Sequence, residues 1–224
     1  MPVIYYSYYT PVSDSVSAIS SQEHQLGHQL LIQGLHDLFH LSFTDEDLLL
    51  ALKTDTNGKP YLLDHPDIHF NITHCDRLAA CAFHTGPIGI DAELPGYFPD
   101  VLVSHALSKE EKDLLMSHSS NLPENREWFY RLWTLKEAYV KKYGIGVDTD
   151  LKDFSFTFSD TKDALSVSCS DPSVICHQTT LNHGHILSVC YEGPKTFIKL
   201  VSYSPQHGQQ RNDISFDFTH RRSS

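Results

Sequence analysis

The hexapeptide Ile88-Gly89-Ile90-Asp91-Ala92-Glu93 constrains the fold of this chain more than any other segment. Side chains alternate across a strand, so Ile88, Ile90 and Ala92 share one face and Asp91 and Glu93 the other. The first face must be buried, which commits the chain to a core containing a sheet. The Cα atoms of Asp91 and Glu93 are two residues of rise apart, roughly 6 to 7 Å, so both carboxylates can approach one divalent ion. Gly89 precedes them on that face and, having no side chain, is expected to leave room for a bulky ligand. Taken alone, the hexapeptide is equally well read as a half-exposed strand with ordinary solvent-facing acids.

A helix supplies a third acid. From Phe129 to Lys142, Phe129, Leu132, Trp133, Lys136 and Val140 recur at steps of three and four and form one stripe. Lys136 lies inside that stripe, where an ammonium must snorkel or find an anion; a polyphosphate would serve. Glu137 and Lys141 form an i,i+4 pair on the flank, which in isolation reads as a solvated salt bridge. Magnesium favours carboxylates, phosphate oxygens and retained water over imidazole or thiolate. Asp91, Glu93 and Glu137 together would make half of such a shell.

The surrounding pattern is mixed. Val3 to Tyr9 reads as a first strand, and Leu26, Leu30, Leu31, Leu35, Leu38 and Phe39 predict a helix from about Ser21 to His40. A shorter helix runs from Thr44 to about Leu52. Asn57-Gly58 marks a turn, followed by strands over 69–74, 78–83 and 88–93. Ser108 and Glu111 predict a capped helix over 109–118. A polar loop over 119–127 precedes the long helix from about Trp128 to Tyr143, which Gly144 and Gly146 end. Strands follow over 154–158, 164–169, 185–191 and 196–202. The sequence thus predicts an α+β fold in two comparable halves, residues 1–105 and 106–202. Residues 203–224 read as a tail with one short ordered stretch near Ile214 to Phe216.

The chain has 224 residues and a formal net charge of -11, which excludes a general nucleic-acid binder. No lysine or arginine occurs before Lys53, although His24, His28, His36 and His40 do. The fifteen histidines are dispersed and do not suggest a metal cluster. Nothing approaches the roughly 20 apolar residues of a membrane span, and the N-terminus has no signal-peptide pattern, so a cytoplasmic location is the default expectation. Five cysteines, odd in number and without a CxxC spacing, are expected to be free thiols.

Four segments in order carry a family resemblance: Gly58-Lys59-Pro60, Phe70-Asn71-Ile72-Thr73-His74, Ile88 to Glu93, and Trp133-Thr134-Leu135-Lys136-Glu137-Ala138-Tyr139-Val140-Lys141. This set resembles the 4'-phosphopantetheinyl transferases of the Sfp type over residues 58 to 146, and it displaces the solvated readings of both acidic segments. The resemblance implies a pseudo-dimer of two similar α/β halves with coenzyme A bound between them. It also implies magnesium-dependent transfer of phosphopantetheine to a serine of an apo acyl or peptidyl carrier protein, with release of adenosine 3',5'-bisphosphate. A non-catalytic binder of coenzyme A or carrier protein is the alternative. The implied metal ligands are Asp91, Glu93 and Glu137. Thr73, which replaces the family's usual serine, and His74 would contact phosphate, and Lys59 the nucleotide end. Lys136 and Lys141 would lie near the diphosphate. Glu137 is the candidate base, and Lys141 would sit beside the phosphoryl centre. The family context implies a monomer in secondary metabolism, such as antibiotic biosynthesis. The family's N-terminal cations for the 3'-phosphate are absent here, so those contacts would come from elsewhere, such as Arg77.

Overall fold

The computed structural model describes residues 1–118, 121–145, 149–161, 164–204 and 212–216. Strand β1 (Val3–Tyr8) leads into the long helix α1 (Val16–Phe39). Helix α2 (Asp45–Ala51) follows, with Thr44 and Asp47 closing a capping box at its start. A hairpin of β2 (Leu52–Thr54) and β3 (Pro60–Leu62) turns at Asn57-Gly58, where Gly58 takes φ 86°. Then come β4 (His69–Cys75), β5 (Leu78–His84) and β6 (Ile88–Glu93). The second half supplies α3 (Asp100–Ala106), α4 (Lys109–Ser117) and α5 (Leu122–Tyr143). Its strands are β7 (Phe156–Thr161), β8 (Ala164–Cys169), β9 (Val174–Thr180), β10 (Ile186–Glu192), β11 (Ile198–Ser202) and β12 (Asn212–Phe216).

Two sheets carry the fold, ordered β12-β11-β1-β5-β4 and β6-β10-β9. Each half lends a strand to the other: β6 pairs antiparallel with β10, and β11 pairs parallel with β1. One core lies between the sheets, where Ile4, Ala80 and Ala82 meet Ile90, Leu187 and Val189. The outer face of the larger sheet buries Tyr5, Cys81 and Phe83 under Leu30, Leu31 and Leu35 of α1. On the other side, Leu132, Leu135 and Ala138 of α5 cover Cys176 and Cys190. The order of layers is therefore helix, sheet, sheet, helix, and both faces of each central strand are covered. That is why β5 reads as an unbroken apolar run, Leu-Ala-Ala-Cys-Ala-Phe, with no polar alternation.

The differences from the sequence expectation are local. Helix α5 begins at Leu122, inside the segment expected to be loop, because Asn121 caps it by accepting from the Glu124 N–H and Pro123 suits a first turn. Helix α3 and strand β9 were not anticipated. The β9 segment mixes His177 and Gln178 into a short β-branched run, and only its pairing with β10 reveals it as a strand. Gly144 takes φ 65° and ends α5 as expected, while Gly146 lies outside the described residues. All five cysteines are free. The stretch near Ile214 pairs with β11, and the rest of the expected tail beyond Ser204 lies outside the described residues. Among the described residues no helix is long and apolar enough to cross a membrane.

Candidate functional site

The site forms where β4, β6 and α5 meet. Asn71 ties the two strands together: its side-chain oxygen accepts the Ile90 N–H at 2.9 Å. Helix α5 then presses directly onto β6. A Cβ on Gly89 would come within 2.1 Å of the Ala138 carbonyl oxygen and 2.3 Å of the Lys142 nitrogen. The space expected for a ligand beside Gly89 is thus filled by helix backbone. The glycine serves close packing, which brings α5 near enough for Glu137 and Lys141 to reach the face of Asp91 and Glu93.

Asp91 is buried, and the Lys141 ammonium donates to its Oδ1 at 2.5 Å. Thr73 Oγ1 donates to the same oxygen at 3.1 Å, and Lys141 also reaches Thr73 Oγ1 at 3.3 Å. Asp91 Oδ2 is buried with no partner. Burial raises the Asp91 pKa and the Lys141 charge pulls it back. Burial and then the repulsion of Asp91 and Glu137 push Glu93 up to about 7. Glu137 is raised as well, by burial and then by Asp91. Burial works against the charge on Lys141, yet Asp91, Glu137 and Glu93 outweigh it and its pKa rises. Three acids therefore crowd around one ammonium, a surplus of negative charge in a desolvated place.

His74 stands beside this cluster, a third exposed, with Nδ1 3.2 Å from Glu23 Oε2. Burial lowers its pKa and Glu23 partly restores it. Glu23 also accepts from Tyr9 Oη at 2.5 Å. This supporting acid on α1 escaped the sequence reading, since a lone glutamate in the first turns of a helix carries no motif. Lys59 stretches from the β2–β3 turn and donates to the carbonyls of Ile88 at 3.1 Å and Lys142 at 2.6 Å, capping the last turn of α5. Burial lowers its pKa to about 8. Lys59 also borders a cavity of 370 Å³ shared with Asn71, Trp133, Glu137, Lys141 and Thr149.

Lys136 points elsewhere. It is fully buried on the opposite side of α5, 2.8 Å from Glu111 Oε2. It donates to the carbonyls of Leu151 at 2.6 Å and Phe154 at 2.5 Å. The anion its apolar surroundings demanded is a carboxylate of α4, not a phosphate. Its contact with the cavity is indirect, through the 149–154 segment whose Thr149 and Leu151 form part of the wall. Arg77 lies on the β4–β5 turn beside Asp76, at 3.7 Å and away from Lys59. As it stands, no group of three His, Cys, Asp or Glu side chains among the described residues is arranged to hold a metal ion.

The model of the 4'-phosphopantetheinyl transferase superfamily matches residues 87–190, which include β6 and α5. The 4'-phosphopantetheinyl transferase Sfp of Bacillus subtilis (strain 168) is 32% identical over 158 residues, covering 69% of this chain and 69% of that protein. The chain belongs to this superfamily. A second transferase from Bacillus subtilis is 38% identical over 105 residues, 46% of this chain and 45% of that one. The solved Thermotoga maritima holo-acyl-carrier-protein synthase, AcpS, is 21% identical with a TM-score of 0.37, covering 54% of this chain and 70% of its own. Membership in the phosphopantetheinyl transferases carries the family's defining reaction, transfer of phosphopantetheine to a carrier-protein serine.

Proposed function

We propose that this transferase is magnesium-dependent, uses coenzyme A as co-substrate, and holds the metal with Asp91, Glu93 and Glu137. The observation that carries this is Asp91 Oδ2, a buried carboxylate oxygen with no partner, facing two further acids whose pKa values are raised. A buried polar atom left unsatisfied costs on the order of 1–3 kcal/mol, and a cation would relieve it. Hard oxygens in a site that is only half protein-built suit magnesium, which takes the rest of its shell from phosphate and water. When bound, the ion would neutralise charge on the phosphoryl oxygens.

The chain's own residues do the remainder. Lys141, held protonated by the acids around it, faces the phosphoryl group and offsets the charge that builds there in the transition state. Thr73 Oγ1 and His74 contact phosphate oxygens, with Glu23 fixing the imidazole ring. Glu137, whose raised pKa makes it the stronger proton acceptor, takes the proton of the carrier serine as its oxygen attacks phosphorus. The P–O bond to adenosine 3',5'-bisphosphate breaks as the new one forms. Lys59 and the 370 Å³ cavity receive the nucleotide end. Lys136 acts as a positioning residue, holding the 149–154 segment.

The partner is an apo acyl or peptidyl carrier protein. The enzyme works as a monomer, because residues 1–105 and 106–202 supply both sides of the site from one chain. Intact-mass measurement of apo carrier proteins incubated with enzyme, coenzyme A and magnesium tests the reading. The expected result is a gain of one phosphopantetheine per carrier, abolished by chelation. A gain that persists under chelation would remove the metal from the mechanism. No gain on any carrier, with coenzyme A still bound, would leave a non-catalytic binder.

A further inference from the structure

A second cavity, of 680 Å³, lies at the opposite end of the same two strands. Along β6 the order is Ile88, which accepts from Lys59 beside the first cavity, then Asp91 and Glu93, then Leu94 in the wall of the second. Along β4 it is Asn71 at the first cavity, Thr73 and His74 at the acids, then Asp76 at the second. Six residues of strand separate Ile88 from Leu94, about 20 Å. The acids thus sit in the middle of an extended path with a cavity at either end.

The two ends differ in charge. The first cavity has Lys59 and Lys141 in its wall. In the second, the one cation among the described lining residues, Arg77, is next to Asp76, and the nearest flanking groups are the acids Glu23 and Glu93. An anion is repelled there. What the second cavity offers instead is uncharged hydrogen-bonding capacity between aromatic walls. Gln22, Gln25 and Gln29 line it from α1, opposite Tyr8, Tyr9 and His185. Two polar atoms of this lining are buried without a partner: Tyr8 Oη and His185 Nδ1. His185 is only 2% exposed, and its Nε2 is engaged with the Asp76 carbonyl oxygen at 2.7 Å. That leaves Nδ1 as a free acceptor in the neutral ring. Burial pushes the Tyr8 phenol up to about 12, so it remains a donor. A free donor, a free acceptor and three carboxamides are complementary to amide groups, and buried polar atoms of this kind are satisfied in occupied sites. The volume is within the range of small-molecule sites.

We infer that the second cavity binds the uncharged, amide-bearing pantetheine arm of the co-substrate, with Tyr8, Gln25 and His185 reading its amides. The inference rests on the transferase reading above. It adds that the co-substrate lies stretched along β4 and β6, with its charged nucleotide in one cavity, its diphosphate at the acids and its neutral arm in the other. This division by charge also accounts for Arg77 being a poor substitute for the family's N-terminal cations, since it borders the arm and not the nucleotide.

Calorimetric titration of the full chain in magnesium, with coenzyme A and separately with adenosine 3',5'-bisphosphate, tests it. Tyr8→Phe and Gln25→Leu should each weaken coenzyme A by about five-fold, the loss expected for one neutral hydrogen bond. Both should leave adenosine 3',5'-bisphosphate unchanged, which also shows that the variants are folded. Equal weakening of both ligands, or of neither, overturns the inference while leaving the transferase reading intact. Unchanged coenzyme A affinity with a raised KM for the carrier protein would assign the cavity to the carrier and overturn it too. A wild-type chain that binds neither nucleotide would sink the transferase reading itself.

Discussion

Helix α5 carries two buried lysines, each paired with an acid, and the two pairs have opposite characters. Lys136 and Glu111 satisfy each other fully: the ammonium has two further carbonyl acceptors, and Glu111 also accepts from the N–H groups of Ser108 at 2.9 Å and Phe156 at 2.8 Å. Lys141 and Asp91 are incomplete. One ammonium faces three acids, and one carboxylate oxygen has nothing to bond. A closed buried pair is architecture. An open one, with surplus charge of one sign, is a place for something to bind.

The largest expected effect breaks the closed pair. Lys136→Met should destabilise the fold by about 3–5 kcal/mol, because it strands the Glu111 carboxylate in a core. Thermal or urea unfolding would show it, and adding Glu111→Leu should recover most of the loss. If Lys136→Met leaves stability unchanged while abolishing coenzyme A binding, the two pairs are not distinct in kind. The open pair should respond the other way. Glu137→Gln is expected to cost 10²- to 10³-fold or more in transfer, about 3–4 kcal/mol of transition-state stabilisation. Its melting temperature should hold or rise, since one of three crowded negative charges is gone. A variant that keeps near-normal activity would refute the acid site.

The acid surplus also sets a pH dependence that can be isolated. Glu93 has its folded-state pKa raised from 4.5 to about 7, so the folded state binds more protons between those values. Stability from this group is therefore lost as pH rises from 4.5 to 7, on the order of 2 kcal/mol. Elsewhere, burial lowers His177 from 6.5 to about 4, so its contribution has the opposite sign: stability is lost as pH falls through that window. Unfolding free energy measured from pH 4.5 to 7 should accordingly climb more steeply in Glu93→Gln than in the unaltered chain. Identical slopes would mean that Glu93 is not held among repelling acids. The smallest effect is at Thr73. Replacement by serine keeps the hydroxyl to Asp91 and should change kcat/KM by no more than about two-fold, whereas Thr73→Val should cost about five-fold.

Much of the site was legible because strand and helix periodicities place side chains without help from the rest of the chain. Asp91 and Glu93 share a face through the two-residue repeat, and Glu137 and Lys141 are neighbours through the i,i+4 spacing. The same local rules gave the capping box at Ser108 and Glu111, which the structure contains. Periodicity was misleading where a residue's role depends on what lies opposite. It put Lys136 on the core-facing stripe correctly but could not reveal that Glu111 waits there. Nor could it show that the gap over Gly89 is filled by α5 itself. Glu23 and His185 carry no local signal, since their partners, His74 and Asp76, are reached only across the fold.

The sequence by itself determined the residue types of the acid cluster, its split between a strand and a helix, and the alternation of strands and helices that yields an α+β chain. Short-range sterics and side-chain periodicity suffice for these. Only the tertiary structure decided that each half lends a strand to the other's sheet, and which of two lysines on one helix meets the acids. It also decided that β4 and β6 run side by side with a cavity at each end. Those outcomes depend on long-range packing: the glycine contact that seats α5 on β6, and the cores on both faces of each sheet that hold the two strands in register.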